Sequence, residues 1–326
     1  MNTLYPLKFK PVFREKIWGG QTMKTALGID IPSGMPVGEA WMLSGVQGSG
    51  TVVRNGFLEG NELNELLEIY MDELVGEKTF AKHKEEFPIL IKFIDANDWL
   101  SVQVHPDDDL AAKRGLKGGK TEMWYVLGSD LGAELIAGFN RKINREFYLK
   151  NVKDKTLKNI LNFEPVKSGD VFYMPAGRIH ALGPGILLAE IQQTSDTTYR
   201  IYDWDRVDMQ GKSREMHETL ALDALDFEIP ASYRSNYTME KNRSVNLVQC
   251  PYFQTNILDF NLPVLKDYSE LDSFVVYICI EGSAEIVYAG GKERISMGEV
   301  VLLPAILDKI ALAPQPDCRI LEVCNV

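Results

Sequence analysis

Two stretches of this chain share one turn-strand-turn pattern, and that repetition constrains the fold more than any other feature. Gly169-Asp170-Val171-Phe172-Tyr173-Met174-Pro175-Ala176-Gly177-Arg178-Ile179-His180 reads as a turn, a buried strand, a second tight turn and then a histidine. Gly298-Glu299-Val300-Val301-Leu302-Leu303-Pro304 repeats the spacing from glycine to proline. The copy is degenerate: Ile306 stands where Gly177 would be, and Lys309 where His180 would be. Short strands at turn-marked intervals, arranged twice, predict a mainly β chain of two jelly-roll units. Only the first unit ends its motif in a side chain able to hold a metal.

The chain has four histidines, so one placed just after a Pro-x-Gly turn carries weight. Earlier residues supply partners. In Ser101-Val102-Gln103-Val104-His105-Pro106, alternate side chains of a strand share a face. Gln103 and His105 then point one way, and Val102 and Val104 the other. Glu122 opens the next apolar run, Met123 to Leu127. Three neighbouring strands would converge Gln103, His105, Glu122 and His180 on one ion. Taken singly, each has a blander reading as a hydrogen-bonded histidine, a polar strand residue or a solvated strand end. Their joint order favours metal binding. All four donors are nitrogen or oxygen with no thiolate, which suits zinc with an open position, or manganese, cobalt or iron.

A length of 326 residues suggests about two domains. Apolar residues make up 45% and charged residues 25%, a mix that builds an ordinary core. The net charge of −11, with no basic stripe, argues against a nucleic-acid partner. Local cations can still bind a small anion. Met1 to Phe13 has no apolar core of a signal peptide, and no apolar run approaches the roughly 18 residues of a membrane span. Cys250, Cys279, Cys318 and Cys324 form no Cys-x-x-Cys pair and read as reduced thiols of a cytoplasmic protein.

Residues 1 to 58 are turn-rich, with a strand at Val37 to Ser44. Leu63, Leu66, Leu67, Tyr70, Met71 and Leu74 recur at helical spacing, with Asn61 or Asn64 as cap and Gly76 at the end. Pro88 to Ile94 and Ile186 to Ile191 suit strands buried on both faces. A short helix starts after Pro106 with Asp107 as N-cap. Helical segments are expected within Asn144 to Leu161 and Ser213 to Leu225. In the tail, Ser273 to Ile280 is a strand, Glu281-Gly282-Ser283 a turn and Ala284 to Tyr288 a strand. A hairpin turn follows at Ala289 to Lys292. The boundary between the units is expected near 235, giving domains 1–235 and 236–326.

The spacing Gly-x5-Pro-x-Gly-x2-His resembles the second metal motif of the cupin jelly rolls. The wider set is similar to the type I mannose-6-phosphate isomerase (phosphomannose isomerase) family. It comprises Ser101 to Pro106, Lys120-Thr121-Glu122-Met123-Trp124-Tyr125, Gly177 to Gly185, Glu190 to Asp203, Lys16-Ile17-Trp18-Gly19-Gly20 and Gly38-Glu39-Ala40-Trp41. The resemblance is to the compact bacterial form, without an extra helical domain between the metal motifs. It implies two cupin-type units with a few peripheral helices, and only the first holding metal. It implies one zinc per chain, with manganese or cobalt also compatible, held by Gln103, His105, Glu122 and His180. It implies interconversion of mannose 6-phosphate and fructose 6-phosphate. Arg200 matches an arginine at the active-site mouth, and Lys120 the lysine just before the metal glutamate. Ser101 and Lys92 match polar pocket residues, and Trp18 an aromatic near the entrance. Each has an alternative: Arg200 paired with Asp203 or Asp205, Lys92 ending a strand, Lys120 solvated after Gly118-Gly119, Trp18 in the core.

Aldose–ketose isomerisation moves a proton between C2 and C1 through an enediol or enediolate. A metal on neutral ligands plus one carboxylate keeps positive charge to polarise oxygens. Arginine stays charged and offers two parallel hydrogen bonds to an oxyanion. In an acidic protein, Lys92, Lys120 and Arg200 must make a local basic pocket. The base stays open among Lys120, Glu190, Arg200 and a metal-bound water, with Lys120 first; a ligated His180 is a poor base. Two other readings compete. His105, Glu122 and His180 alone match an iron dioxygenase, and a non-catalytic phosphosugar-binding cupin would keep the same pocket.

Overall fold

A computed structural model describes residues 4–32, 34–207 and 211–326. The first unit is a barrel of two facing antiparallel sheets. One sheet has seven strands, in the order Arg234–Ser235, Val171–Met174, Glu122–Ser129, Ile186–Gln193, Ile89–Ala96, Val12–Gly20 and Val37–Leu43. The other has five, in the order Tyr199–Tyr202, Val102–Val104, His180–Leu182, Glu134–Phe139 and Leu161–Pro165. The second unit is built on a nine-stranded sheet dominated by the long strands Val275–Tyr288 and Lys309–Cys324.

Strand alternation sorts the cores. In Ile186–Gln193, Ile186 and Leu188 face the barrel interior beside Trp124 and Phe172. Leu187, Ala189 and Ile191 face the opposite way, into a core shared with the second unit. Ile89–Ala96 behaves likewise, and all eight of its residues are buried. On the five-stranded sheet, Val102, Val104 and Ala181 face outward, under a layer that includes Tyr148 and Ala221 of helices Arg145–Lys153 and Glu218–Ala224. The helices therefore cover the barrel without entering it. Leu7–Lys10, at the chain's start, pairs with Val300–Leu303 of the second unit. Among the described residues no helix is long and apolar enough to cross a membrane.

The structure matches most of the expected elements and corrects several. The long helix, Leu63–Val75, is capped by Glu62 through a reciprocal box with Glu65, and neither Asn61 nor Asn64 is the cap. Met71 has φ 48° and is exposed, so the helix breaks there and Met71 leaves the apolar face. Asp107 does cap Asp108–Lys113, accepting from the Leu110 N–H at 2.7 Å. The helix expected in Ser213 to Leu225 shrinks to Glu218–Ala224. Glu281-Gly282-Ser283 is not a turn. Val275–Tyr288 runs straight through it, with register shifts between Cys279 and Glu281 and between Gly282 and Ala284. Gly282 takes φ +70°, so irregular pairing bends the strand without ending it.

Candidate metal centre and active-site cavity

His180 is the first residue of its strand and lies directly across from Gln103 in the antiparallel register. Their neighbours Ala181, Val102 and Val104 pack outward, so Gln103 and His180 face the barrel interior. His105 follows one residue beyond Val102–Val104, on the same side as Gln103. Glu122 arrives from elsewhere. It opens Glu122–Ser129 in the facing seven-stranded sheet, not a third neighbouring strand. The centre therefore sits between the two sheets. A carboxylate can reach both imidazoles there because the sheets face one another. One ligand atom from each of His105, Glu122 and His180 lies within 4.8 Å of the others, and all three residues are buried. His180 Nε2 is 3.3 Å from Glu122 Oε1, and His105 Nε2 is 3.6 Å from Glu122 Oε2.

The donors fit a divalent cation. His105 Nδ1 lies 2.8 Å from the Thr197 carbonyl, and His180 Nδ1 lies 2.8 Å from the Arg178 carbonyl. A carbonyl only accepts, so each ring carries its proton on Nδ1 and turns the Nε2 lone pair toward Glu122. Burial holds the His180 pKa down to about 4, and burial with the nearby Lys120 charge holds His105 well below its ordinary value. Both rings are therefore neutral, as ligation requires. Glu122 Oε1 and His180 Nε2 are buried without a hydrogen-bond partner, and Glu122 Oε2 is buried with only the Lys120 ammonium beside it, at 2.9 Å. Burial first, then repulsion from Glu190, pushes the Glu122 carboxyl up to about 7. Leaving such groups unsatisfied is costly, and a cation would resolve all of them together.

Beside these ligands opens a cavity of about 420 Å³. Trp18, Lys92, Ser101, Gln103, Lys120, Glu190 and Arg200 all line it. A polar row crosses the seven-stranded sheet in register: Trp41 opposite Lys92, Lys92 opposite Glu190, Glu190 opposite Trp124. Glu190 accepts from Lys92 Nζ at 3.0 Å and from Trp124 Nε1 at 2.9 Å. Burial opposes charge on both partners, yet the Lys92–Glu190 attraction wins: the Lys92 pKa is raised and the Glu190 pKa lowered. Burial likewise opposes charge on Glu39, but Lys92 and Lys16 bring its pKa down to about 2.

The alternatives weighed for single residues resolve differently. Lys120 is buried, not solvated, with Nζ 2.9 Å from Glu122 Oε2 and 3.0 Å from His105 Nε2. Arg200 pairs with neither Asp203 nor Asp205. Asp203 is taken by Arg206 and Arg214, and Asp205 accepts from Tyr202. Arg200 is instead held by Ser101 Oγ at 3.3 Å and the Glu215 carbonyl at 2.9 Å. Trp18 belongs to the inter-sheet core and to the cavity wall at once. Arg14, Lys16, Glu39, Trp41 and Arg214 also line the cavity and were missed as site residues. The alternation Arg14-x-Lys16-x-Trp18 is the signal that could have found the first two.

Comparison with known proteins places this architecture. A family model described as phosphomannose isomerase type I, catalytic domain, matches residues 6–125. A mannose-6-phosphate isomerase of Bacillus subtilis is 36% identical over 319 residues, 97% of this chain and 98% of that protein. A mannose-6-phosphate isomerase of Streptococcus mutans is 35% identical over 300 residues, 92% of each chain. The crystal structure of a mannose 6-phosphate isomerase from Bacillus subtilis superposes with a TM-score of 0.87 at 30% identity, covering 98% of this chain and 99% of that one. This chain belongs to the type I phosphomannose isomerase family.

Proposed function

We propose that this protein is a metal-dependent aldose–ketose isomerase that interconverts mannose 6-phosphate and fructose 6-phosphate through an enediol intermediate. The observation that carries the reading is the buried His105–Glu122–His180 cluster beside a cavity lined by six cationic side chains. Three carboxylates, Glu39, Glu190 and Asp196, also line that cavity, so it stays net positive in a protein of net charge −11. That contrast suits a dianionic sugar phosphate. Family membership and this charge set aside both the iron dioxygenase and the non-catalytic cupin.

We assign His105, Glu122, His180 and Gln103 as the metal ligands and zinc as the ion, on the strength of an all-nitrogen-and-oxygen donor set. When bound, the ion supplies Lewis acidity at the sugar's oxygens. The chain's own groups do the rest. Arg200, anchored by Ser101 and the Glu215 carbonyl, presents a fixed guanidinium to the charge of the enediolate. Lys120 lines the cavity beside two of the ligands and is our proton-transferring group between C1 and C2. Glu190 has both oxygens engaged, which favours a role in holding Lys92 and Trp124 as a wall for the sugar hydroxyls. Trp18 completes that wall. Substrate chemistry and four free cysteines support a cytoplasmic setting. We also propose 1–235 and 236–326 as the two units, strapped together by Leu7–Lys10.

A coupled assay with mannose 6-phosphate, run before and after chelation and after zinc is restored, tests the function. Fructose 6-phosphate should form, stop on chelation and return with zinc. Oxygen uptake with bound iron, or binding without turnover, would overturn the reading.

A further inference from the structure

The six cavity cations are not equivalent. Lys16 meets Glu39 at 3.0 Å, Lys92 meets Glu190 at 3.0 Å, and Lys120 meets Glu122 at 2.9 Å. Arg214 donates to Asp203 at 2.7 Å. Among the described residues, only Arg14 and Arg200 of the six have no carboxylate at ion-pairing distance. A cation already neutralised by a carboxylate has little net charge to offer a dianion. Arg200 is assigned to the reaction centre, so one unneutralised cation is left over.

That cation is also prepared for a ligand. The Arg14 guanidinium carbon lies 4.6 Å from the centre of the Trp41 ring, and one terminal nitrogen donates to Ser49 Oγ. An aromatic platform fixes the guanidinium plane while leaving N–H edges free, the geometry that grips a phosphate with two parallel bonds. Arg14, Lys16 and Trp18 alternate on one face of Val12–Gly20. Trp18 is buried, whereas Arg14 and Lys16 are half-buried, so that face runs from the interior outward. A phosphate is the costliest part of the substrate to dehydrate and belongs at the outer end.

We infer that Arg14 binds the substrate's phosphate group and sets the preference for a phosphorylated hexose. The inference rests on the isomerase reading for the identity of the substrate, but its test does not depend on turnover. Inorganic phosphate is titrated calorimetrically into the zinc-loaded wild type, Arg14→Gln and Arg14→Lys, with thermal melts to establish folding. Arg14→Gln should weaken phosphate binding about tenfold or more, and lower kcat/KM for mannose 6-phosphate about ten- to hundredfold, through KM. Arg14→Lys should fall between, keeping charge but losing the fork, and carries the test alone if Arg14→Gln does not fold. Phosphate affinity and KM within about twofold of wild type, or a loss confined to kcat, would overturn the assignment. If the wild type binds phosphate yet turns nothing over, the isomerase reading fails and Arg14 is still judged on phosphate binding.

Discussion

The motif ending at His180 and its copy ending at Lys309 build the same scaffold and do different things with it. Both begin on a glycine with positive φ, +90° at Gly169 and +82° at Gly298. Both continue into four-residue strands, Val171–Met174 and Val300–Leu303. Val171 and Val300 face the core between the units, while Phe172 and Val301 face the interior of their own units. The paths part after the proline. Gly177 takes φ +89°, whereas Ile306 is an exposed side chain in the copy. His180 then points inward to Glu122. Lys309 instead lies at the surface, 3.9 Å from Asp267, and the next residue, Ile310, points in. Inside the second unit Phe260, Ile286, Leu312 and Ile320 fill the space that the first keeps as a cavity. The first unit keeps a polar interior by pairing most of its inward charges, as in Lys92–Glu190 and Lys16–Glu39, and leaves Arg14 and Arg200 without a carboxylate partner among the described residues.

The difference can be broken at either unit. The largest effect is expected from His180→Ala, with activity down by more than about a hundredfold and circular dichroism unchanged, since even indirect ligand supports are worth up to that much. Full activity would sink the site. Arg200→Ala should raise the barrier by about 3 kcal/mol, roughly a hundredfold in kcat, while metal content is kept. In the second unit, Leu303→Ala should act on stability alone, costing about 2–5 kcal/mol in denaturant unfolding and leaving kcat unmoved at room temperature. A catalytic defect in that folded variant would contradict a purely packed second interior. The smallest effect belongs to Glu39→Gln. Glu39 is depressed from 4.5 to about 2, so between those values the unfolded chain takes up a proton that the folded chain refuses. The stability this group contributes is thus complete above pH 4.5 and drains away as pH falls toward 2. Glu39→Gln should lower the neutral-pH melting temperature yet flatten its decline across that window. Parallel melting curves for the two proteins would refute the pairing.

Much of the site could be read from local pattern because strand alternation is local. It put Gln103 and His105 on one face, and the apolar run after Glu122 marked the start of a strand. The Lys92–Glu190–Trp124 row was not readable, although each member lay in a recognisable strand. Its geometry comes from the pairing of Ile186–Gln193 with two strands far away in sequence. Arg14, Glu39 and Trp41 were hidden for the same reason: Val12–Gly20 lies in turn-rich sequence, and Val37–Leu43, although legible as a strand, becomes a cavity wall only through its pairing. Glu122 does cluster with the two histidines, but from the facing sheet and not from a neighbouring strand, because alternation fixes a face and not a neighbour. The Glu281–Ser283 segment misled in the opposite direction, since glycine at positive φ serves a strand irregularity as well as a turn.

Metal stoichiometry tests the central claim most directly, namely that only the first of the two units carries chemistry. Elemental analysis of zinc-reconstituted, dialysed protein should find about one divalent ion per chain in the wild type and none in His180→Ala. Two ions per chain, or an ion retained without His180, would contradict the account.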